Sequence, residues 1–362
     1  MTDGTFRPMS DDRKALFWLA GFVAFAFLLY ALSSVLAPFV AGLAVAYFFD
    51  PVADRLEKAG ASRGLAAGLV ILAFLGLAGI VLVLLFPLLQ SQVLGLVARV
   101  PDLIEVLRER AAPFIDLLNE KLSSGEMDNL KGAAKSYGGD VLSWLGGMLQ
   151  NLWSGGMAFF NVLSLLVITP LAAFYLLRDW DKIVARFDHL LPRNSADTFR
   201  QQFAAIDATI AAFVRGQASV CLVLGIFYAT GLTLAGLDFG LLVGLGTGLL
   251  AFIPYVGASI GLVTGVGIAL AQFSDWLPVV IVAAIFLTGQ TAESYFLTPK
   301  LVGERVGLHP IWVIFALMAG GALFGFTGVL LGVPVTAVIG VLVRFGISRY
   351  LQSHFYDCGK AD

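Results

Sequence analysis

Long apolar runs separated by short charged connections dominate the chain. Uninterrupted apolar stretches cover residues 15–33, 35–49, 65–89, 152–177, 217–236, 240–271, 277–297 and 311–345. A helix needs roughly 20 residues to cross a hydrocarbon core of about 30 Å, so these runs predict membrane-spanning α-helices. The first two predict a retained helical pair with a turn near Pro38, not a cleaved leader. Two runs are too long for one crossing. The stretch 240–271 is interrupted at residues 252–257, where Pro254 and Tyr255 stand together; the stretch 311–345 is interrupted by Gly320, Gly321 and the glycines from Gly325 to Gly328. Such breaks predict either hairpins of short helices or broken helices, which a bilayer tolerates only where protein or a wet cavity satisfies the freed backbone groups. They are expected to present backbone carbonyls to a passage.

Two stretches have a different pattern. Between residues 90 and 151, Leu103, Ile104, Leu107, Ala111, Phe114, Ile115, Leu118 and Leu122 recur at helical spacing among charges, which predicts amphipathic helices broken at Pro101 and Pro113. Residues 195–213 form a second amphipathic piece, opened by Asn194, Ser195 and Asp197 as a helix-start signal, and are expected to lie along the cytoplasmic face. The chain therefore divides into N-terminal membrane helices (1–89), an extracytoplasmic helical segment (90–151), a membrane core (152–350) and a short tail (351–362).

Composition supports the bilayer as solvent: 59% of the 362 residues are apolar and 13% charged, whereas a soluble domain runs to about 25% charged. The fold class is all-α, a polytopic integral membrane protein. A net charge of -2 leaves no basic footprint for nucleic acid. Lys and Arg mark the cytoplasmic connections: Arg55, Lys58 and Arg63 lie in one, Arg178, Lys182, Arg186, Arg193, Arg200 and Arg215 in another, Lys300 and Arg305 in a third. The opposite connections carry Asp238 and Asp275 instead, which places both termini in the cytoplasm.

Enzyme chemistry finds little support. The sequence has no G-x-x-x-x-G-K-[ST] loop for nucleotide phosphates, and His189, His309 and His354 are too scattered for a zinc site. Cys221 and Cys358 form no disulfide framework or metal-ligand pattern. Gly257, Ser259 and Gly261 spell G-x-S-x-G, but no strand precedes them, and small residues at that spacing serve helix packing. The same holds for Gly240, Gly244 and Gly248, for Gly261 and Gly265, and for Gly328 and Gly332; such faces permit self-association into a homo-oligomer without requiring it. No cofactor or metal is expected.

The strongest site candidate is Glu293. A carboxylate within an apolar span is costly and should face a wet cavity, a partner, or a proton or cation route. Gln290 and Ser294 accompany it at helical spacing, as a polar stripe. The competing reading pairs Glu293 structurally with Lys300, Arg305 or Arg215. Arg215 and Gln217 open another span, with Asp207 two turns earlier, and would line an intracellular vestibule or snorkel to headgroups. Asp50, Asp54 and Arg55 read as a charged helix cap beyond the second run.

Several ordered blocks resemble one family of bacterial permeases, the autoinducer-2 exporter family. They are the run from Pro38 to Tyr47 leading to Asp50, Pro51 and Asp54; Phe213, Val214, Arg215, Gly216 and Gln217; Ile253, Pro254, Tyr255, Val256 and Gly257; Thr298, Pro299, Lys300 and Gly303; His309 and Pro310; and the stretch from Ala319 to Pro334. The resemblance implies about eight membrane segments and a transporter in the bacterial inner membrane. It implies as cargo either a small polar solute such as autoinducer-2 or a monovalent cation exchanged for protons. Within it, the Arg215–Gln217 block and the Pro254–Tyr255 break are the expected pathway elements. The competing class is a non-transporting membrane scaffold that binds a partner through residues 90–151.

Overall fold

The computed structural model describes residues 32–121, 156–254, 256–302 and 307–353, together with Gly21 and Tyr356. Every described element is helical. The first apolar run, residues 122–155, Tyr255 and Arg305 lie outside the described residues.

The helices are α1 (Ser33–Lys58), α2 (Arg63–Lys121), α3 (Gly156–His189), α4 (Ala196–Leu234), α5 (Gly240–Leu250), α6 (Val256–Gln272), α7 (Trp276–Ala292), a π-helical continuation (Glu293–Val302), and α8 (Pro310–Leu351). Among the described residues, five segments are long and apolar enough to cross a membrane: Leu36–Lys58, Arg63–Arg110, Ala196–Leu234, Trp276–Val302 and Thr327–Leu351. Their outward faces carry exposed apolar side chains, as on α2, where Val83 is 74% and Leu84 71% exposed. Surfaces of this kind are stable against lipid tails and costly against water.

The bundle has two apolar cores. Ala46 and Ala53 of α1, Ala66, Ala67, Val70 and Ile71 of α2, and Ala173 and Leu177 of α3 form the smaller one. Its alanines let backbones approach, and Gly42 completes the contact: an added methyl there would stand 2.8 Å from Ala172 Cβ and 2.9 Å from the Thr169 carbonyl. The larger core joins α4 to α8, with Val220, Leu224, Tyr228, Val282 and Phe286 at its centre. Tyr47 of α1 also belongs to it, so α1 is shared between the two.

Both sequence interruptions are places where the chain turns back. α5 has 11 residues, hence about 16 Å, too short to cross about 30 Å of hydrocarbon. It is followed by a turn at residues 251–254 that leads towards α6, and Gly257 fits against the backbone of Leu250 and Ala251. In α8 the reversal is at Gly325, with φ 59° and ψ -139°, a conformation open essentially only to glycine. The two arms then lie backbone to backbone: Gly320 touches Gly328, and a methyl on Gly332 would be 2.6 Å from the Ala316 carbonyl.

Three expectations need correction. α2 runs for 59 residues through Pro87, Pro101 and Pro113 as one helix; each proline removes one helical donor, and the surrounding helical bonding carries the chain past it. The amphipathic lead-in at 195–213 is not a separate element but the first half of the 39-residue α4. Asp50 and Asp54 are no cap, because α1 continues past Pro51 to Lys58.

Candidate functional site

Four residues of one short stretch of α4, Phe213, Arg215, Gly216 and Gln217, tie that helix to its neighbours. Phe213 is buried, and its ring meets that of Phe252 edge-on at 6.1 Å. The Arg215 guanidinium donates from Nε to the Tyr47 carbonyl at 2.8 Å and stands 3.6 Å from Asp50, both on α1. Gly216 admits the π-helical segment, since a methyl would lie 2.5 Å from the Leu301 carbonyl and 2.7 Å from Val302 Cα. Gln217, buried, donates from Nε2 to the Ala251 carbonyl at 2.6 Å. That carbonyl is one of those freed where α5 ends, so the break is satisfied by a side chain. Together with the backbone contact of Gly320 and Gly328, this closes both interruptions against protein, and the expectation that they present carbonyls to a passage is replaced by packed turns.

On the side of α4 facing α1, a polar cavity of about 250 Å³ opens among α1, α2, α3 and α4. Tyr47 donates to Asp207 at 2.8 Å. Arg63 spends its whole guanidinium here, donating to Asp50 at 2.7 Å, Asp54 at 2.5 Å and Glu57 at 3.2 Å, and from Nε to the Leu177 carbonyl at 2.9 Å. The lining holds five carboxylates, on Asp50, Asp54, Glu57, Asp181 and Asp207, against two guanidinium groups, on Arg63 and Arg215. An excess of negative charge in a concave polar site raises the local concentration of cations. Of the residues singled out from the sequence, Asp207 and Arg215 line this cavity; Tyr47 and Arg63 had not been singled out as site residues, and Asp50 and Asp54 had been read as a helix cap.

Glu293 is the buried charged residue of the larger core, 8% exposed. It stands where hydrogen bonding changes from α to π: α7 ends at Ala292, and the π-helical stretch begins with Glu293 and runs ten residues. Long π segments are rare and concentrate at functional positions. Among the described residues no cation pairs with Glu293. The neighbourhood is tight. Tyr228 stacks on Phe286 with centroids 5.1 Å apart, and Gly261 and Gly265 of α6 lie against the Phe286 ring.

Gln290 and Ser294 do not share the buried face of Glu293. Gln290 donates from Nε2 to Ser294 Oγ at 3.2 Å on the outer side of the helix, where Ser294 is exposed and Gln290 half-buried. Pro254 occupies the α5–α6 turn, half-buried. Tyr228 is the residue that sequence reading passed over, since a tyrosine in an apolar run carries no distinguishing signal.

Comparison with known proteins places the chain in one family. The AI-2E family transporter model matches residues 18–347. The chain is similar to a candidate transport protein, YueF of Bacillus subtilis (strain 168), with 28% identity over 85% of this chain and 83% of the relative. It is also similar to a candidate permease, PerM of Escherichia coli (strain K12), with 26% identity over 94% of this chain and 95% of the relative. With its apolar spanning helices and this match over nearly its whole length, the chain belongs to the AI-2E family of membrane transporters.

Proposed function

We propose that this protein is a secondary transporter of the bacterial inner membrane that exchanges a monovalent cation for protons through Glu293, with both termini in the cytoplasm. The observation carrying this reading is a buried carboxylate, without a cationic partner among the described residues, at the α-to-π change of a spanning helix. A charge held in an apolar core without a partner costs several kcal/mol unless it binds a proton or a cation. Exchange of one for the other is chemistry that a single carboxylate can perform. The acidic cavity beside Asp50 and Asp207 supports the same reading as a cation-collecting vestibule, in line with Arg215 and Gln217 as pathway residues. With no nucleotide loop in the sequence, active transport would draw on an ion gradient or on a partner, and exchange through Glu293 uses the gradient.

A second reading, export of a small polar solute, draws on the same cavity, whose volume of about 250 Å³ and polar lining suit a molecule of a few heavy atoms. The experiment is flux through purified protein in proteoliposomes under an imposed pH gradient, with sodium, lithium and small polar metabolites as cargo. Glu293→Gln is expected to reduce cation flux more than tenfold, a loss of over about 1.4 kcal/mol in transition-state terms, with folded yield retained. Flux equal to that of the unmodified protein defeats the assignment. Solute flux that survives Glu293→Gln and falls in Asp207→Asn favours the second reading.

A further inference from the structure

Tyr228 lies two turns before the C-terminal end of α4, wholly buried. Its hydroxyl is a buried side-chain polar atom with no hydrogen-bond partner among the described residues. An orphaned buried hydroxyl costs about 1–3 kcal/mol, and phenylalanine would give the same stacking on Phe286 without that cost. The hydroxyl has a defined position. It rests on Gly289, where a methyl would come within 2.5 Å of the Tyr228 ring carbons Cε1 and Cζ, so the glycine makes room for it.

Gly289 is one turn before Glu293 on the same buried face of α7, and the Glu293 amide donates to the Gly289 carbonyl. Side chains at that spacing have Cβ atoms about 5–6 Å apart. Rotation about the Glu293 side-chain bonds therefore brings its carboxylate within reach of the tyrosine hydroxyl. One hydrogen bond would satisfy two groups that are each costly alone: a hydroxyl without an acceptor and a buried carboxylate without a cation.

We propose that Tyr228 is a positioning residue for Glu293, donating to the carboxylate when its cargo has left and holding the empty side chain inside the bundle until the next cargo arrives. This rests on the reading of Glu293 as the cargo-bearing group. In this role the hydroxyl does not contact cargo. It stabilises the unloaded carrier, the species in which a bare buried charge would otherwise slow each cycle.

The test uses the full chain in proteoliposomes, with sodium or lithium ions exchanged against an imposed proton gradient, and compares the unmodified protein with Tyr228→Phe and Glu293→Gln. Loss of one hydrogen bond to a charged group corresponds to about a tenfold effect or more. Tyr228→Phe is therefore expected to lower kcat about tenfold, leave KM for the cation unchanged or reduced, and leave the thermal unfolding midpoint at saturating cation unchanged or raised. Unaltered kcat and KM overturn the inference. So does a raised KM with kcat intact, which would make the hydroxyl a direct ligand of cargo. A lowered unfolding midpoint at saturating cation, or failure of the variant to accumulate folded, also overturns it by giving the hydroxyl a structural partner other than the empty carboxylate. If Glu293→Gln is inactive while Tyr228→Phe behaves as the unmodified protein, the inference alone fails. If Glu293→Gln transports normally, or the unmodified protein moves neither ion, the underlying reading fails and takes the inference with it.

Discussion

A single amide shows how much one side chain can hold in place. Gln217 satisfies the Ala251 carbonyl where α5 ends, and both groups are buried. Gln217→Leu keeps the volume and removes the donor, leaving that carbonyl unsatisfied. The expected cost is about 1–3 kcal/mol, read as a lower unfolding midpoint in detergent. Arg63 is a comparable case with charge. Its side chain is 17% exposed and bonded to three carboxylates, so Arg63→Ala should destabilise by about 2 kcal/mol or more, as hydrogen bonds to charged groups do. Arg99 with Asp238 is an exposed pair, and Arg99→Ala should change stability by less than about 1 kcal/mol. Sequence reading found Glu293 because an acid in an apolar run is visible without any partner. It misread Asp50 because a charge beside Pro51 at the end of an apolar run has the pattern of a cap, and the groups that complete the site, Arg63 and Arg215, come from other helices.

Among the helices, glycine spacing sets the closest approaches. Gly244 and Gly248 of α5 meet Ala229 and Gly225 of α4 with backbone against backbone. Gly248→Ala would drive a methyl into Gly225, and the displaced helix pair should lose about 1–3 kcal/mol, measured by unfolding in detergent. The small-residue spacing was legible in the sequence as a packing face, and the structure supplies the partner. The two interruptions were legible as breaks. The pattern allowed hairpins of short helices or broken helices, and the backbone of Gly325 and the contact of Gly257 with Ala251 show the chain turning back at each. At the junction of α3 and α4, Arg200 binds Asp188 through two hydrogen bonds of 2.7 and 2.9 Å, which hold the Asp188 carboxyl below the usual carboxylate range. A carboxyl depressed in the folded state contributes fully above its unfolded value and loses that contribution as pH falls through the folded one. Asp188→Asn should therefore flatten the acid limb of stability against pH.

Across the whole molecule, the two apolar cores meet along a seam bridged by polar contacts near both ends. Near one end Tyr47 and Asp50 of α1 join Asp207 and Arg215 of α4; near the other, Arg99 of α2 pairs with Asp238, and Gln92 accepts from the Leu242 amide. That the chain would be a helical membrane protein followed from its apolar runs alone. The division into two cores did not, because the lipid-facing and core-facing sides of these helices are both apolar. The length of α2 has a mechanical consequence. At ~1.5 Å per residue its 59 residues extend about 88 Å, while the apolar part that suits hydrocarbon ends near residue 89. Beyond it Gln92, Leu96, Arg99 and Leu103 still lean on the larger core and its connections, and for a helix about 88 Å long a tilt of about 5° at the base sweeps the tip through about 8 Å. Small rearrangements among the packed glycines would thus be magnified into travel that a second protein outside the membrane could sense.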